Sequence, residues 1–361
     1  MFSKSTSRAT AETIDALVAG LPDPVVVIDA ASIVLALNAQ AETVAPALRR
    51  GEPISFALRM PQLIEGIRTA MGSNTPQRVE FSERVPSDRW FEAYIAPVKL
   101  DDRTTRPDLV FITLRDLSQM RRIEEMRADF VANASHELRT PLASLTGFIE
   151  TLQGPARDDP AARERFLAIM KQQANRMARL IDDLLSLSRI ELNAHLRPDT
   201  PVDVTAITRQ VIDTLQTLAR DRGVEIAIDA ADEPLIVRGD RDEMVRVCEN
   251  LIENALKYGA SGKRVEITLA RQIAADGAAE ATLSVKDFGP GIAPEHLPRL
   301  TERFYRVDVA QSRAEGGTGL GLAIVKHILN RHGGRLVIES APGQGAAFTI
   351  RLPLIERRRS E

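Results

Sequence analysis

The 361-residue chain holds one cysteine, Cys248, and one tryptophan, and aromatic residues make up only 4% of it. A lone thiol excludes an internal disulfide and thiolate metal clusters. Its place among apolar helix positions reads as a small buried hydrophobe in a reducing compartment. An excess of either charge is lacking too: 47 Lys and Arg stand against 50 Asp and Glu, a formal charge of -3, which gives no electrostatic reason to expect a nucleic-acid partner. Long apolar runs are also missing. The most apolar stretch, Val25 to Ala39, is broken by Asp29 and Asn38 and falls short of the roughly 20 residues of a spanning helix; no transmembrane segment or signal peptide is visible. The Arg357 to Arg359 cluster reads as a solvated tail.

What is present is enough for two or three domains, each with its own core. From about Ala11 to Asp116, short apolar runs alternate with turn residues: Pro24 to Ile28, Ile33 to Leu37, Arg78 to Phe81, Trp90 to Val98 and Leu109 to Leu114. Ile64 to Met71 has helical spacing, with Pro61 near its start. This predicts a small mixed α/β domain. After Asp116 the period changes. Leu117, Met120, Ile123, Met126, Phe130 and Ala134 recur every three or four residues, and the pattern continues past His136 toward Leu152. A turn over Gly154 to Pro160 precedes a second helix bearing Phe166, Ile169, Met170, Leu180, Leu184, Leu187 and Ile190. Such a hairpin carries too wide an apolar face to bury alone, so pairing with a second copy into a four-helix bundle is expected. From Val202 onward strands and helices alternate again, predicting an α/β sandwich with helices at Val204 to Arg222, Arg241 to Lys257 and Leu320 to Arg331.

Two segments carry candidate chemistry. In His136-Glu137-Leu-Arg-Thr140-Pro141, His136 and Thr140 share a helix face, and Pro141 removes the amide that would bond the Glu137 carbonyl, loosening the helix beside the histidine. A neutral imidazole can attack phosphorus through one nitrogen while the other keeps its proton on an acceptor, and Glu137 is the nearest carboxylate. The same spacing describes a solvated His–Glu pair, so taken alone it leaves both readings open. His195, His296, His327 and His332 have no comparable setting and read as surface or loop histidines. In the second segment Asn250, Asn254 and Lys257 fall at helical spacing, placing two amides and an ammonium on one face. An Asn254 carbonyl plus substrate phosphates suffices for Mg²⁺, which keeps several waters. This helix equally fits a core helix with a polar edge.

Asp287-Phe-Gly289-Pro-Gly291 ends a strand in a glycine turn where a carboxylate can accept from an exocyclic amine such as that of adenine. Glu315-Gly-Gly317-Thr318-Gly319-Leu320-Gly321-Leu322 leads into a helix, whose first amides can face phosphates. Singly these are also a turn and a flexible loop; their order and combination favour a nucleotide site. No P-loop run occurs. Glu302 to Arg306 and the polar Asp308 to Glu315 read as a lid, with Phe304 as anchor and Arg306 near the phosphates. Gly343-Gln-Gly345 reads as a hairpin turn.

In this order the motifs His-Glu-x-x-Thr-Pro, Asn-x-x-x-Asn-Ala-x-Lys-Tyr, Asp-x-Gly-x-Gly and Gly-x-Gly-Leu-Gly-Leu closely resemble those of two-component sensor histidine kinases, over about Met120 to Leu354. The resemblance implies His136 as phosphoacceptor, Glu137 as its base, and Thr140 as the residue positioning water to dephosphorylate a partner. It implies Asn254 as the Mg²⁺ ligand, Asn250 and Lys257 as phosphate contacts, Tyr258 as an adenine neighbour and Asp287 as the adenine reader. Gly289, Gly291, Gly317, Gly319 and Gly321 would shape the pocket. The front third resembles a PAS sensory domain, through Leu21 to Asp29, Asn38 and Leu114-Arg-Asp116-Leu-Ser. The whole most resembles phosphate-regulon sensor kinases.

The expected architecture is therefore multidomain α+β: a PAS α/β domain over 11–116, a dimerising, phosphotransfer helical hairpin over 117–195, and an ATP-binding α/β sandwich of the GHKL type over 200–355. The expected partners are a second copy and a response-regulator receiver domain. The expected location is cytoplasmic, including the case of a cytoplasmic portion of a membrane-associated sensor, because related kinases usually carry membrane helices before the PAS domain. The contrasting expectation is a binding module that uses ATP only as a conformational clamp.

Overall fold

The computed structural model describes residues 13–83, 89–100, 106–230, 233–275, 277–308, 312 and 315–355. The residues Arg357 to Arg359, the start of the front domain at Ala11, and most of the lid between Asp308 and Glu315 lie outside these. The chain divides into two compact units, Met1–Val131 and Ala132–Glu361.

The first unit is built on β1 (Val25–Asp29), β2 (Val34–Leu37), α1 (Ala39–Val44), α2 (Ile54–Ala57), α3 (Pro61–Ser73), β3 (Gln77–Glu83), β4 (Arg89–Val98) and β5 (Leu109–Asp116). Its five strands run in the order β2-β1-β5-β4-β3, all antiparallel. Strand β1 is buried on both faces, as its unbroken Val-Val-Val-Ile run requires. Helix α3 starts with Pro61 in its first turn and lies so close to the sheet that a side chain at Gly66 would meet Val79 and Ile95 at 2.6 and 2.8 Å. Buried Asn38 accepts from the amides of Val25 and Ala41, both at 3.0 Å, and donates to the carbonyls of Leu21 and Asp23. One side chain thus caps α1 and fixes the entry to β1 with all its polar atoms paired. At the far end the Asp116 carboxylate accepts from the Ser118 amide and the Ser118 hydroxyl accepts from the Trp90 amide, so the sheet runs directly into a helix start. The short helices α1 and α2 were not apparent from the apolar pattern, being only 6 and 4 residues long.

Helix α4 (Ser118–Gln153) begins in the first unit and contributes residues from Ala132 onward to the second. It contains Pro141 without ending there. Helix α5 (Pro160–Leu192) starts with Asp159 accepting from the Ala162 amide and Pro160 in its first turn. Phe148 and Phe166 stack across the hairpin at 5.2 Å.

The sandwich follows: β6 (Pro201–Asp203), α6 (Val204–Arg222), β7 (Glu225–Ala230), β8 (Ile236–Arg238), α7 (Arg241–Tyr258), β9 (Arg264–Ile273), β10 (Ala279–Asp287), α8 (Gly321–Arg331), β11 (Arg335–Ser340) and β12 (Ala346–Pro353). The sheet order is β11-β12-β10-β9-β7, antiparallel except for the β7–β9 pair, while β6 and β8 form a separate two-stranded ribbon. Val265, Ile267 and Leu269 of β9 alternate inward with exposed or half-buried neighbours. The helices pack on the sheet, α7 against β10 and α8 against β11, with Met244, Val247, Leu251, Ile252 and Ala255 of α7 and Ile324, Val325, Ile328 and Leu329 of α8 buried. That burial of apolar stripes is the main drive for assembling this layer.

His332 is not the surface histidine that its sequence setting suggests. Its side chain is fully buried. Nε2 accepts from the Asp240 amide at 3.0 Å, and Nδ1 lies 2.8 Å from the Ile328 carbonyl. The neutral ring therefore carries its proton on Nδ1 and joins the end of α8 to the start of α7. Burial pushes its pKa below the ordinary 6.5, outweighing the opposing pull of the Ile328 carbonyl. A histidine held neutral contributes stability that is complete above its unfolded pKa of 6.5 and is lost as pH falls below that value. The melting temperature is expected to fall as pH is lowered from about 7.5 to about 5.5. His332→Gln should cost about 1–2 kcal/mol at neutral pH and flatten that slope. Thermal melts giving the same slope for both proteins would contradict this role.

Candidate active site

Helix α7 presents two faces. Its buried side fills the core, and its other side places Asn250, Asn254, Lys257 and Tyr258 along a cleft of about 510 Å³, within the usual range for small-molecule sites. Asn250 donates to the Arg246 carbonyl at 2.8 Å, and its Oδ1 lies where a side chain at Gly321 would have to go. Gly321 thus lets the start of α8 close against α7. Lys257 pairs with Glu253 at 2.7 Å and is largely buried. The Tyr258 hydroxyl is 3.1 Å from that of Ser312.

At the cleft floor Asp287 ends β10, 6% exposed. Its Oδ1 accepts from the Gly289 amide at 2.9 Å and the Ala346 amide at 3.3 Å. Burial raises its pKa above the ordinary 3.8, and the two amide bonds only partly offset this. Gly291 has φ +72°, and a side chain there would run into the Ala341 carbonyl. Gly345, also at positive φ, packs on the backbone of Asp287, so the Gly343-Gln-Gly345 turn buttresses the floor.

The glycine segment forms the opposite rim. Phe304, at φ +63°, donates its amide to the Gly319 carbonyl at 2.7 Å. A side chain at Gly317 would meet the Ser312 and Tyr258 hydroxyls at 2.6 and 2.8 Å. Gly291, Arg306, Gly317, Thr318, Gly319 and Gly321 all line the cleft. Two expected contacts do not. Leu320 is fully buried and belongs to the core, and Gly289 stands behind the wall, against the backbone of Tyr258 and Gly259. Leu322 lines the cleft in place of Leu320.

The hairpin meets this cleft. His136 and Thr140 are exposed on α4, and the Thr140 hydroxyl donates to the His136 carbonyl at 3.2 Å. The Glu137 Oε2 accepts from Arg176 of α5 at 2.8 Å and from Arg306 at 2.9 Å. Arg306, 5% exposed, also donates to the carbonyls of Gly317 and Thr318, and its Nε is buried without a partner among the described residues. Arg306 therefore ties the cleft rim to the residue beside His136. Sequence reading missed Asp183 and Arg246 altogether. Arg246 precedes Asn250 by one helical turn, which was a usable signal; Asp183 belongs to α5, far away in sequence, and carried none.

Comparison with known proteins accords with this geometry. Residues 126–193 match the His Kinase A (phospho-acceptor) domain family, and residues 239–356 match the histidine kinase-, DNA gyrase B-, and HSP90-like ATPase family. The chain is 44% identical over 237 residues to the phosphate regulon sensor protein PhoR of Pseudomonas aeruginosa, covering 65% of this chain and 52% of that one. It is 39% identical over 256 residues to the sensor-like histidine kinase SenX3 of Mycobacterium tuberculosis, covering 71% and 60%. The chain thus spans between about half and three-fifths of these relatives' length. A solved structure of histidine kinase ThkA in complex with response regulator protein TrrA shares the fold, with a TM-score of 0.51, 19% identity, and coverage of 95% of this chain and 99% of that one.

The raised pKa of Asp287 couples the stability of the fold to pH. Its neutral form is favoured in the fold, so its contribution to stability is present below the unfolded value of 3.8 and is lost as pH rises through the raised folded value. Asp287→Asn, whose Oδ1 can accept the same two amide bonds, should leave the melting temperature at neutral pH unchanged or raised. A fall equivalent to more than about 2 kcal/mol would contradict the burial argument.

Proposed function

The chain belongs to the sensor histidine kinases, and from that premise we propose that it transfers the γ-phosphoryl group of ATP to His136 and from there to an aspartate of a response-regulator receiver domain. The single observation that carries the proposal is the contact of Arg306 with both Glu137 and the glycine rim, which brings the histidine helix and the cleft into one compact unit.

In this reading Asp287 accepts from the adenine amine and Tyr258 lies beside the base. Asn250, Lys257, Thr318 and the amides of Gly317, Gly319 and Gly321 surround the phosphates. The cleft face of α7 offers the Asn254 amide oxygen, a donor suited to Mg²⁺, and the described residues contain no cluster of three or more His, Cys, Asp or Glu that would favour a fully protein-bound metal. Bound there, Mg²⁺ would neutralise phosphate charge. An imidazole nitrogen of His136 attacks the γ-phosphorus, the bond from phosphorus to the ADP oxygen breaks, and Glu137 takes the proton from the other ring nitrogen. Phosphates that draw Arg306 away from Glu137 would leave this carboxylate to Arg176 and to the imidazole. Thr140, one turn from His136, would orient water when the regulator is dephosphorylated, exchanging its bond to the His136 carbonyl for one to that water.

The first unit is read as a PAS-type sensory domain over 11–116, followed by the hairpin over 117–195 and the catalytic sandwich over 200–355; the antiparallel five-stranded sheet and the role of Asn38 support the first assignment. A homodimer is expected, since Val131, Leu142 and Ile149 of α4 and Leu167, Ile181 and Leu185 of α5 are all at least 43% exposed. Input in phosphate-responsive signalling is suggested by the PhoR relative. No helix among the described residues is long and apolar enough to cross a membrane; the cytoplasmic location of the proposed activity follows from its substrates.

His136→Ala should abolish acid-labile labelling from γ-labelled ATP. Asn254→Ala should reduce it at least about 100-fold, and Asp287→Asn should weaken nucleotide binding about tenfold or more while the protein stays folded. Tight ATP binding with no label on histidine would instead favour a conformational clamp.

A further inference from the structure

One carboxylate in the cleft wall is not used by the reading above. Asp183 lies on α5, yet it lines the nucleotide cleft together with Arg246 and Thr318. One of its oxygens accepts from the Arg246 guanidinium at 2.6 Å, and the other accepts from the Thr318 hydroxyl at 2.7 Å. Arg246 is held further by the Ser186 hydroxyl and the Asp182 carbonyl. The two ionic side chains are 27% and 19% exposed, so solvent screens their attraction only in part. Thr318 stands just before α8, whose first amides have no side-chain cap.

A guanidinium and a hydroxyl converging beside an uncapped helix start make a donor set suited to a phosphate oxyanion. Here a carboxylate supplied by the phosphotransfer hairpin occupies it. A carboxylate and a phosphate tail cannot share these donors without strong mutual repulsion.

Resting on the phosphotransferase reading, we propose that Asp183 is an internal competitor for the phosphate tail of the nucleotide: Arg246 and Thr318 bind phosphate once Asp183 has left them, so that loading ATP detaches this end of the sandwich from α5. Contacts farther down the helix involve no cleft-lining residue. Arg331 donates to the Asn193 and Leu196 carbonyls, and Glu191 pairs with Arg303. They survive phosphate entry and serve as the pivot about which the released end swings. The coupling is reciprocal: phosphates loosen the seam by the factor by which the seam weakens phosphate binding.

Calorimetry on the full chain with a non-hydrolysable ATP analogue and with adenosine tests this. Asp183→Asn, which keeps an acceptor for Arg246 but not the charge, should tighten the analogue about three- to tenfold, the range expected of a half-screened charged pair, and leave adenosine unchanged. Arg246→Gln should weaken the analogue and leave adenosine unchanged. In the unaltered protein, amide hydrogen exchange over residues 180–187 should quicken with the analogue and not with adenosine, a readout that needs no variant to fold. If the unaltered protein binds the analogue but Asp183→Asn binds it no tighter, or tightens adenosine equally, or exchange over that segment is unmoved, the competitor role is overturned while the phosphotransferase reading stands. If the unaltered protein binds no analogue, both fall.

Discussion

Glu137 holds two guanidiniums on one carboxylate oxygen, Arg176 from its own hairpin and Arg306 from the cleft rim, and the seam between hairpin and sandwich depends on that junction. All three side chains are less than 15% exposed, so the charges are poorly screened and each requires its partners. Removing one would strand a buried charge. Exchanging one partner for another anion is far less costly, and a nucleotide phosphate is such an anion. The seam between hairpin and sandwich is therefore held most firmly while the donors have no competing ligand.

The seam is also unequal along its length. Next to the cleft it is made of ionic and hydroxyl contacts, at Glu137 and at Asp183. Farther down α5 it combines buried apolar side chains, Leu187 and Ile190, with polar contacts that lie away from the cleft, Glu191 with Arg303 and Arg331 with the Asn193 and Leu196 carbonyls. Ionic contacts at the cleft can be traded for phosphate, whereas apolar contacts have no such substitute. The cleft itself depends on backbone that side chains would obstruct: Gly321 lets α8 meet Asn250, and Gly291 turns the floor through a left-handed conformation against Ala341. Helix α7 serves the core and the cleft with opposite faces, so its position in the fold and the placement of its amides are set by the same packing.

Much of this was legible in sequence because it is local. The period of three to four residues located α4 and α5, and short apolar runs between turn residues located β1 and β4. Asp287 and the cleft-lining glycines announced themselves through their turn chemistry. What stayed hidden is long-range or short. Strands β6 and β8 span three residues each, too few for an alternating pattern to mark them. His332 reads in sequence as a surface or loop histidine, because its partner at Asp240 comes from another element. Leu320 sits inside a glycine motif, yet the start of α8 turns it into the core, and Gly289 faces backbone instead of the cleft. Asp183 was invisible because its partners lie 63 and 135 residues away.

In the proposed reaction a phosphoryl group held in this cleft reaches the imidazole of His136. Phosphorus NMR of the full chain after incubation with Mg²⁺ and ATP addresses it without any substitution. A new protein-bound resonance of the phosphoramidate type, lost in acid and stable in base, is expected. A phosphate-ester resonance that persists in acid, or no protein-bound phosphorus while ATP is consumed, would contradict it.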